Sequence, residues 1–267
     1  MSIPKIIHYC WFGGNIPPKF QKYIDQWSKK CPDYEIMLWN EDSFDLNSVE
    51  YLKRAVKAGR WAFVADYVRL AALYKYGGVY LDTDVELLGN FDSLLNEKLI
   101  FGFETSKQIN GAIILAEKEN PFIKETLEVY EGFLFEGKDI AQEMVPIPYI
   151  LSKMVEQKGA VLDGTTQTVD GITLLSRDYF YPLSFEGEGK CFTKNTIAIH
   201  QYAGTWSNNI TKFDVFLKKN FSISIQPLIK GLSKRAVTFQ SISLISSPYW
   251  YSRTSAKAIP LPLKAEW

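Results

Sequence analysis

Arg60–Glu86, RWAFVADYVRLAALYKYGGVYLDTDVE, decides how this chain folds. From Trp61 to Tyr74 the segment is apolar on nearly every side, with Asp66 and Arg69 as its only charges. A helix that is hydrophobic all round is a buried helix. Carboxylates and guanidiniums persist in a core only when they are paired or bound. Asp66 and Arg69 stand three residues apart and so share one face. Gly77-Gly78 ends the helix. Val79-Tyr80-Leu81, β-branched and aromatic, reads as a short buried strand, and it runs directly into Asp82-Thr83-Asp84.

Extended backbone through these residues would send Asp82 and Asp84 to the same side. Their Cα atoms would lie about 6–7 Å apart, at a rise of about 3.3 Å per residue. Two carboxylates at the end of a buried strand make a hard, anionic oxygen site. Such a site suits Mg²⁺ or Mn²⁺, which fill their remaining positions with water and substrate phosphate. An Asp-x-Asp pair also occurs as a solvated strand end, so the pair alone decides little. The charged buried helix, the two glycines and Tyr80-x-Asp82-x-Asp84 in one run are far more specific.

Taken together, Ala62-x-x-x-Asp66-x-x-Arg69, Leu73-Tyr74, Gly77-Gly78, Tyr80, Asp82 and Asp84 resemble glycosyltransferase family 32, the DXD-containing sugar transferases. That family's relatives include bacterial capsule and lipopolysaccharide transferases, yeast initiating mannosyltransferases and the glucosylating domain of large clostridial toxins. The resemblance implies a GT-A fold, a nucleotide-sugar donor, a divalent metal (Mn²⁺ or Mg²⁺) and retention of anomeric configuration. It implies residue roles as well. Asp84 would bind the metal, and Asp82 would serve metal, ribose and sugar. Asp66 and Arg69 would meet sugar hydroxyls and the diphosphate, with Tyr80 beside them.

The chain has 267 residues, enough for a substantial core in one large domain. Its 30 basic and 30 acidic side chains cancel, which gives no electrostatic footprint for nucleic acid. Cys10, Cys31 and Cys191 show neither metal spacing nor a disulfide framework and fit a reducing compartment. The N-terminus lacks a signal pattern, and no run reaches transmembrane length. The expected location is therefore cytoplasmic.

Ile3–Cys10 reads as the first strand, with Trp11-Phe12-Gly13-Gly14 as the loop at its carboxyl end. Open α/β sheets bind ligands at that end. The glycines let backbone approach a ligand, and Trp11 offers a face for stacking a base. By resemblance, HYCWFGG is the family's nucleotide-binding opening. His8 lies mid-strand among apolar neighbours and reads as a core histidine. A helix over Lys19–Lys30, a strand over Tyr34–Trp39 and a helix over Val49–Lys57 follow. This alternation predicts a parallel, Rossmann-like sheet. The absence of G-x-G-x-x-G leaves nothing for a dinucleotide.

Further on, Leu99–Phe103 and Asn110–Ala116 read as strands, Pro121–Phe133 and Pro148–Gln157 as helices, Gly164–Thr168 as a turn-rich break, and Ile172–Ser176 and Tyr179–Tyr181 as strands or edges. In the toxin relatives an asparagine near this point meets the donor sugar, so Asn110 becomes a candidate. Thr196–Ser207 delivers His200 from an apolar strand and then Thr205-Trp206 from a loop containing Gly204. It resembles the family's closing H…(S/T)W motif. His200 is a candidate metal ligand. Thr205 and Trp206 are candidate donors to the diphosphate through hydroxyl and indole N–H.

The expected architecture is an α/β domain of GT-A type over 1–220, a Rossmann-like mixed sheet flanked by helices, with a helical C-terminal extension over 221–267. The extension carries Lys230, Lys234, Arg235, Tyr249-Trp250-Tyr251, Arg253 and Lys257. It would serve packing, the acceptor, or a peripheral membrane contact on the inner face. The function expected is transfer of a hexose from a nucleoside diphosphate sugar, UDP-sugar favoured, to a saccharide or lipid-linked acceptor in surface polysaccharide synthesis. A GDP-mannose-dependent transferase, a protein-glycosylating effector, a retaining glycosidase and a non-enzymatic sugar-nucleotide-binding module stand as alternatives. The glycosidase needs one protonated carboxyl of its pair, whereas two aspartates sharing a metal both stay ionised.

Overall fold

A computed structural model describes residues 2–132, 144–183 and 189–203. Those from 2 to 131 and from 144 to 203 belong to one compact unit. The boundary expected at 220/221, the extension 221–267, Thr205 and Trp206 lie outside the described residues.

The first half is a βαβ array. Strand β1 (Ile6–Cys10) is followed by α1 (Pro18–Lys30), β2 (Glu35–Trp39), α2 (Glu50–Lys57), α3 (Trp61–Tyr76) and β3 (Gly78–Leu81). β1 lies between β2 and β3, parallel to both. The carboxyl ends of all three therefore share one sheet edge, which carries Trp11, Asn40 and Asp82. Next come β4 (Val85–Leu87), β5 (Leu99–Thr105), β6 (Gln108–Ala116), α4 (Pro121–Glu131), α5 (Ile147–Gln157), β7 (Gln167–Val169), β8 (Ile172–Leu175) and β9 (Ala198–His200). The main sheet runs β2-β1-β3-β6-β5-β8-β7, and β4 pairs with β9 in a separate two-stranded ribbon. The mixed, helix-flanked sheet expected from the sequence is the one observed.

α3 explains its own composition. Val64, Tyr67, Val68, Leu70, Ala72 and Leu73 are buried, and so are Asp66 and Arg69. Gly77 stops the helix at φ 66°, a conformation that costs glycine little. Any Cβ there would come within 2.6 Å of the Lys118 backbone nitrogen. Trp27 of α1 is fully buried, and its indole donates to the Val85 carbonyl at 2.8 Å. That bond holds the start of β4 and fixes the chain just after Asp84.

Three local expectations are corrected. Asp82 and Asp84 do not lie on continuous extended backbone. β3 ends at Leu81, and Val85 N donates to Asp82 O at 3.0 Å, closing a turn. Tyr179–Tyr181 is not a strand. Its carbonyls are taken piecemeal by the segment entering β9, Tyr179 O by Ile197 and Ala198, and Phe180 O by His200. The stretch after Gly164, read as a turn-rich break, continues into β7, which pairs antiparallel with β8.

Candidate active site

The site begins with an irregularity in β6. Its register with β5 slips between the pairs Phe101–Ile114 and Gly102–Asn110, so Gly111, Ala112 and Ile113 leave that ladder. Bulges re-aim groups in this way beside functional sites. The freed groups all find use. Gly111 O accepts from Arg69 Nη1 at 2.6 Å, and Ala112 O accepts from Asp82 N at 2.8 Å. Ile113 N donates to Tyr181 Oη at 3.1 Å. Asn110 closes the bulge by accepting from Ala112 N at 2.7 Å, which occupies its side-chain oxygen.

Arg69 stands between the helix and the aspartates. Its Nη2 lies 2.8 Å from Asp66 Oδ1 and its Nη1 3.4 Å from Asp82 Oδ1. Nε donates to Ala65 O at 3.2 Å, and the guanidinium carbon sits 4.5 Å from the Tyr80 ring centroid. Tyr80 is buried, and its hydroxyl donates to Asp82 Oδ1 at 2.8 Å. The pair that the sequence placed on one helix face is thus joined to the first aspartate of the turn.

Asp84 faces the other way. Its Oδ1 is 3.3 Å from His200 Nε2, and its Oδ2 accepts from Ala203 N at 2.8 Å. The link follows from β4–β9 pairing, which sets Val85 opposite His200. Tyr181 and Tyr202 wall the imidazole at centroid distances of 5.8 and 4.3 Å. Burial opposes charge on His200, but Asp84, with Asp82 and Glu104 behind it, outweighs burial and raises its pKa. Burial also opposes charge on Asp84. There the His200 and Ala203 hydrogen bonds prevail, so its pKa is lowered. Asp82 moves the opposite way. Burial and the Asp84 charge raise its pKa although Arg69 pulls it down, and 29 % of its side chain is exposed.

Asp82, Asp84 and His200 each offer one ligand atom, all within 4.8 Å of one another. Two carboxylate oxygens and an imidazole nitrogen suit Mn²⁺ well and Mg²⁺ less so. The structure carries a further sign of fit: Asp82 sits close to the like charge of Asp84, which a cation would relieve.

At the carboxyl ends of β1 and β2 lies a cavity of about 390 Å³, lined by Trp11, Gly14, Asn15, Ile16, Leu38, Asn40, Glu41 and Gln21. Trp11 packs on Phe20 at 5.5 Å, and its indole nitrogen is buried without a hydrogen-bond partner among the described residues. Phe12, named as nucleotide-binding, is buried and stacks on Trp61 at 6.5 Å, with 14° between the rings. Gly13 N donates to a Glu41 carboxylate oxygen at 2.6 Å and thereby ties two loops together. The φ of Gly13 is 84°, and a Cβ there would strike the Trp61 indole at 2.7 Å. His8 is a core residue, as read. Its Nε2 bonds the Gly77 carbonyl, and its Nδ1 accepts from the Trp39 indole.

Sequence reasoning missed Trp61, Tyr181 and Tyr202. Nothing local marks them, because each matters through a partner distant in sequence. The Gly13-Gly14 pair was the one available hint for Trp61.

The Trp11 cavity and the Asp-Asp-His cluster lie at the sheet edge where α/β folds bind ligands. Residues 17–100 match the family described as "Glycosyltransferase sugar-binding region containing DXD motif". Over 138 residues it is 30 % identical to inositol phosphoceramide mannosyltransferase 3 of Schizosaccharomyces pombe, a match covering 50 % of this chain and 39 % of that protein. Over 148 residues it is 25 % identical to human lactosylceramide 4-alpha-galactosyltransferase, covering 52 % and 39 %. The matched stretch therefore spans about two fifths of either relative. Among solved structures, the PaToxG glycosyltransferase aligns with a TM-score of 0.48 and 22 % identity, over 58 % of this chain and 70 % of that one.

Proposed function

We propose that the protein is a metal-dependent, retaining glycosyltransferase that moves a hexose from a nucleoside diphosphate sugar, UDP-sugar favoured, to a saccharide or lipid-linked acceptor. The observation that carries this is the Asp82, Asp84 and His200 cluster within 4.8 Å, at the sheet edge that also bears the Trp11 cavity. The two relatives' names specify mannosyl and galactosyl transfer on ceramide-linked acceptors, which supports a hexose and a lipid-linked saccharide.

Asp82, Asp84 and His200 hold the cation, which when bound supplies Lewis-acid stabilisation of charge on the departing diphosphate. Trp11 stacks the base, Gly14 lines the same cavity, and Asn110 borders the donor sugar. Thr205 and Trp206, which lie outside the described residues, would by resemblance serve the diphosphate as hydroxyl and indole donors. Cys10 lies beneath the site, but burial pushes its thiol up to about 12, so it supplies no thiolate nucleophile. Transfer proceeds on one face of the sugar. The bond from the anomeric carbon to the diphosphate breaks, the acceptor oxygen bonds that carbon, and its proton passes to the leaving diphosphate.

The setting in this reading is the cytoplasmic side of surface polysaccharide synthesis, with residues 221–267 meeting acceptor or membrane. The basic and aromatic residues of that segment support it. No helix among the described residues is long and apolar enough to cross a membrane. The test is nucleotide release from a panel of UDP- and GDP-sugars, with Mn²⁺ and with chelator. Metal-dependent release from a UDP-hexose is expected. Exclusive use of GDP-mannose would refute the uridine part, and equal release in chelator would refute the metal.

A further inference from the structure

We infer that Tyr202 is a positioning residue whose left-handed backbone and aromatic ring together aim the His200 imidazole at the cation. This rests on the metal-binding reading above. A histidine that binds a metal through one ring nitrogen is ordinarily oriented by a hydrogen bond from the other. His200 turns Nε2 toward Asp84 Oδ1 at 3.3 Å, whereas its Nδ1 is buried and has no hydrogen-bond partner among the described residues. Here ring packing takes the place of that hydrogen bond. Tyr181 stands edge-on to the imidazole, with 5.8 Å between centroids and 87° between planes, and its hydroxyl is tied to the β6 bulge by Ile113 N. Tyr202 lies closer, at 4.3 Å and 53°.

The approach of Tyr202 is bound up with a break in strand geometry. In extended backbone, residues 200 and 202 would point to one side with Cα atoms about 6–7 Å apart. Tyr202 instead has a φ of 49°, a region that disfavours bulky side chains. The other non-glycine residues with positive φ among those described, Glu119 and Asp170, sit in exposed turns. The chain on either side of Tyr202 shows what the conformation secures. Gln201 N donates to Asp84 O at 3.1 Å, continuing the β4–β9 ribbon, and Ala203 N then reaches Asp84 Oδ2 at 2.8 Å. One left-handed residue thus wraps the chain around Asp84 and lays a ring on His200. Glycine or asparagine would satisfy the backbone at lower cost. The aromatic side chain is explained by the imidazole it holds.

Tyr202→Phe keeps the ring, while Tyr202→Gly keeps the backbone conformation and removes the ring. Mn²⁺ affinity is read by electron paramagnetic resonance without donor, for wild type, both variants, His200→Ala and the double variant Tyr202→Gly/His200→Ala. Tyr202→Phe should bind within about twofold of wild type, and Tyr202→Gly about 10- to 100-fold more weakly, the range for groups that orient a metal ligand. In the His200→Ala background, Tyr202→Gly should add less than about a twofold loss, because a residue acting through another then has nothing to act on. Wild-type affinity in Tyr202→Gly, or an equal loss with and without His200, would overturn the inference. So would Tyr202→Phe falling as far as Tyr202→Gly, since that would place the effect on the hydroxyl. Should Tyr202→Gly fail to fold, Tyr202→Asn replaces it under the same criteria, because asparagine tolerates the left-handed region and carries no ring. If the wild-type protein binds Mn²⁺ but turns over no donor, the enzymatic reading fails and the Mn²⁺ cycle still decides this one. If it binds no Mn²⁺, both fail.

Discussion

Replacing Asp84 by asparagine separates the chemistry of this site from its architecture. The carboxylate takes two contacts, His200 Nε2 at 3.3 Å on Oδ1 and Ala203 N at 2.8 Å on Oδ2. An amide of the same shape keeps one acceptor, but it sets an NH₂ against the other donor and loses the charge. Charge-assisted hydrogen bonds contribute about 1.5–3 kcal/mol each, and one of the two survives in weakened form. A loss of about that size is expected. At roughly 2–4 °C per kcal/mol for a domain of this size, melting should fall by about 3–12 °C, with the fold retained. Turnover is expected to fall further, by about 10²–10³-fold or more, the range for removing one group that stabilises developing charge. Initial rates at saturating Mn²⁺, run beside a melting curve and near-ultraviolet circular dichroism, give both numbers. A folded variant with near-normal turnover would refute the assignment of Asp84 to the metal.

Trp11→Ala should raise donor KM by roughly 5- to 150-fold with little change in kcat, because base stacking on an aromatic is worth about 1–3 kcal/mol. Steady-state kinetics over donor concentration checks it, and an unchanged KM would remove Trp11 from the nucleotide. His200→Ala should weaken Mn²⁺ activation, and isothermal titration with Mn²⁺ that matches wild type would remove the imidazole from the ligand set. His8 gives a pH dependence. Burial, only partly opposed by its bond to Gly77 O, lowers its folded pKa. The neutral ring therefore contributes stability in full above about pH 6.5, its unfolded value. That contribution declines as pH falls from there toward the lowered folded value. In urea titrations, the stability difference between wild type and His8→Gln should shrink below about pH 6.5. A difference independent of pH would contradict the buried, neutral ring. Any His200 contribution is common to both proteins and cancels.

The sequence was most legible where one local pattern carried the whole message. The all-round apolar α3 with Asp66 and Arg69, and its stop at Gly77, could be read directly because helical burial and glycine caps are local physics. The alternation of strands and helices likewise gave β1–β2–β3 and the sheet edge that bears Trp11 and Asp82. The geometry of the aspartates was not legible. Extended backbone predicted a shared side, whereas a turn closed by Val85 N presents them to different partners. The β6 bulge was also invisible, since it depends on how β6 pairs with β3 along one edge and with β5 along the other. His200 was nominated from its own motif. Its closeness to Asp84 depends on β4–β9 pairing across more than a hundred residues, which no local pattern encodes. Trp61 against Gly13 and the two tyrosines around His200 escaped for the same reason.

The most direct measurement is anomalous X-ray diffraction at the manganese edge from crystals grown with Mn²⁺ and UDP. The account predicts one strong peak within ligand distance of Asp82, Asp84 and His200 Nε2, with the diphosphate on its open side and the uracil against Trp11. A well-ordered UDP with no manganese at these three residues, or manganese held elsewhere in the cleft, would contradict it.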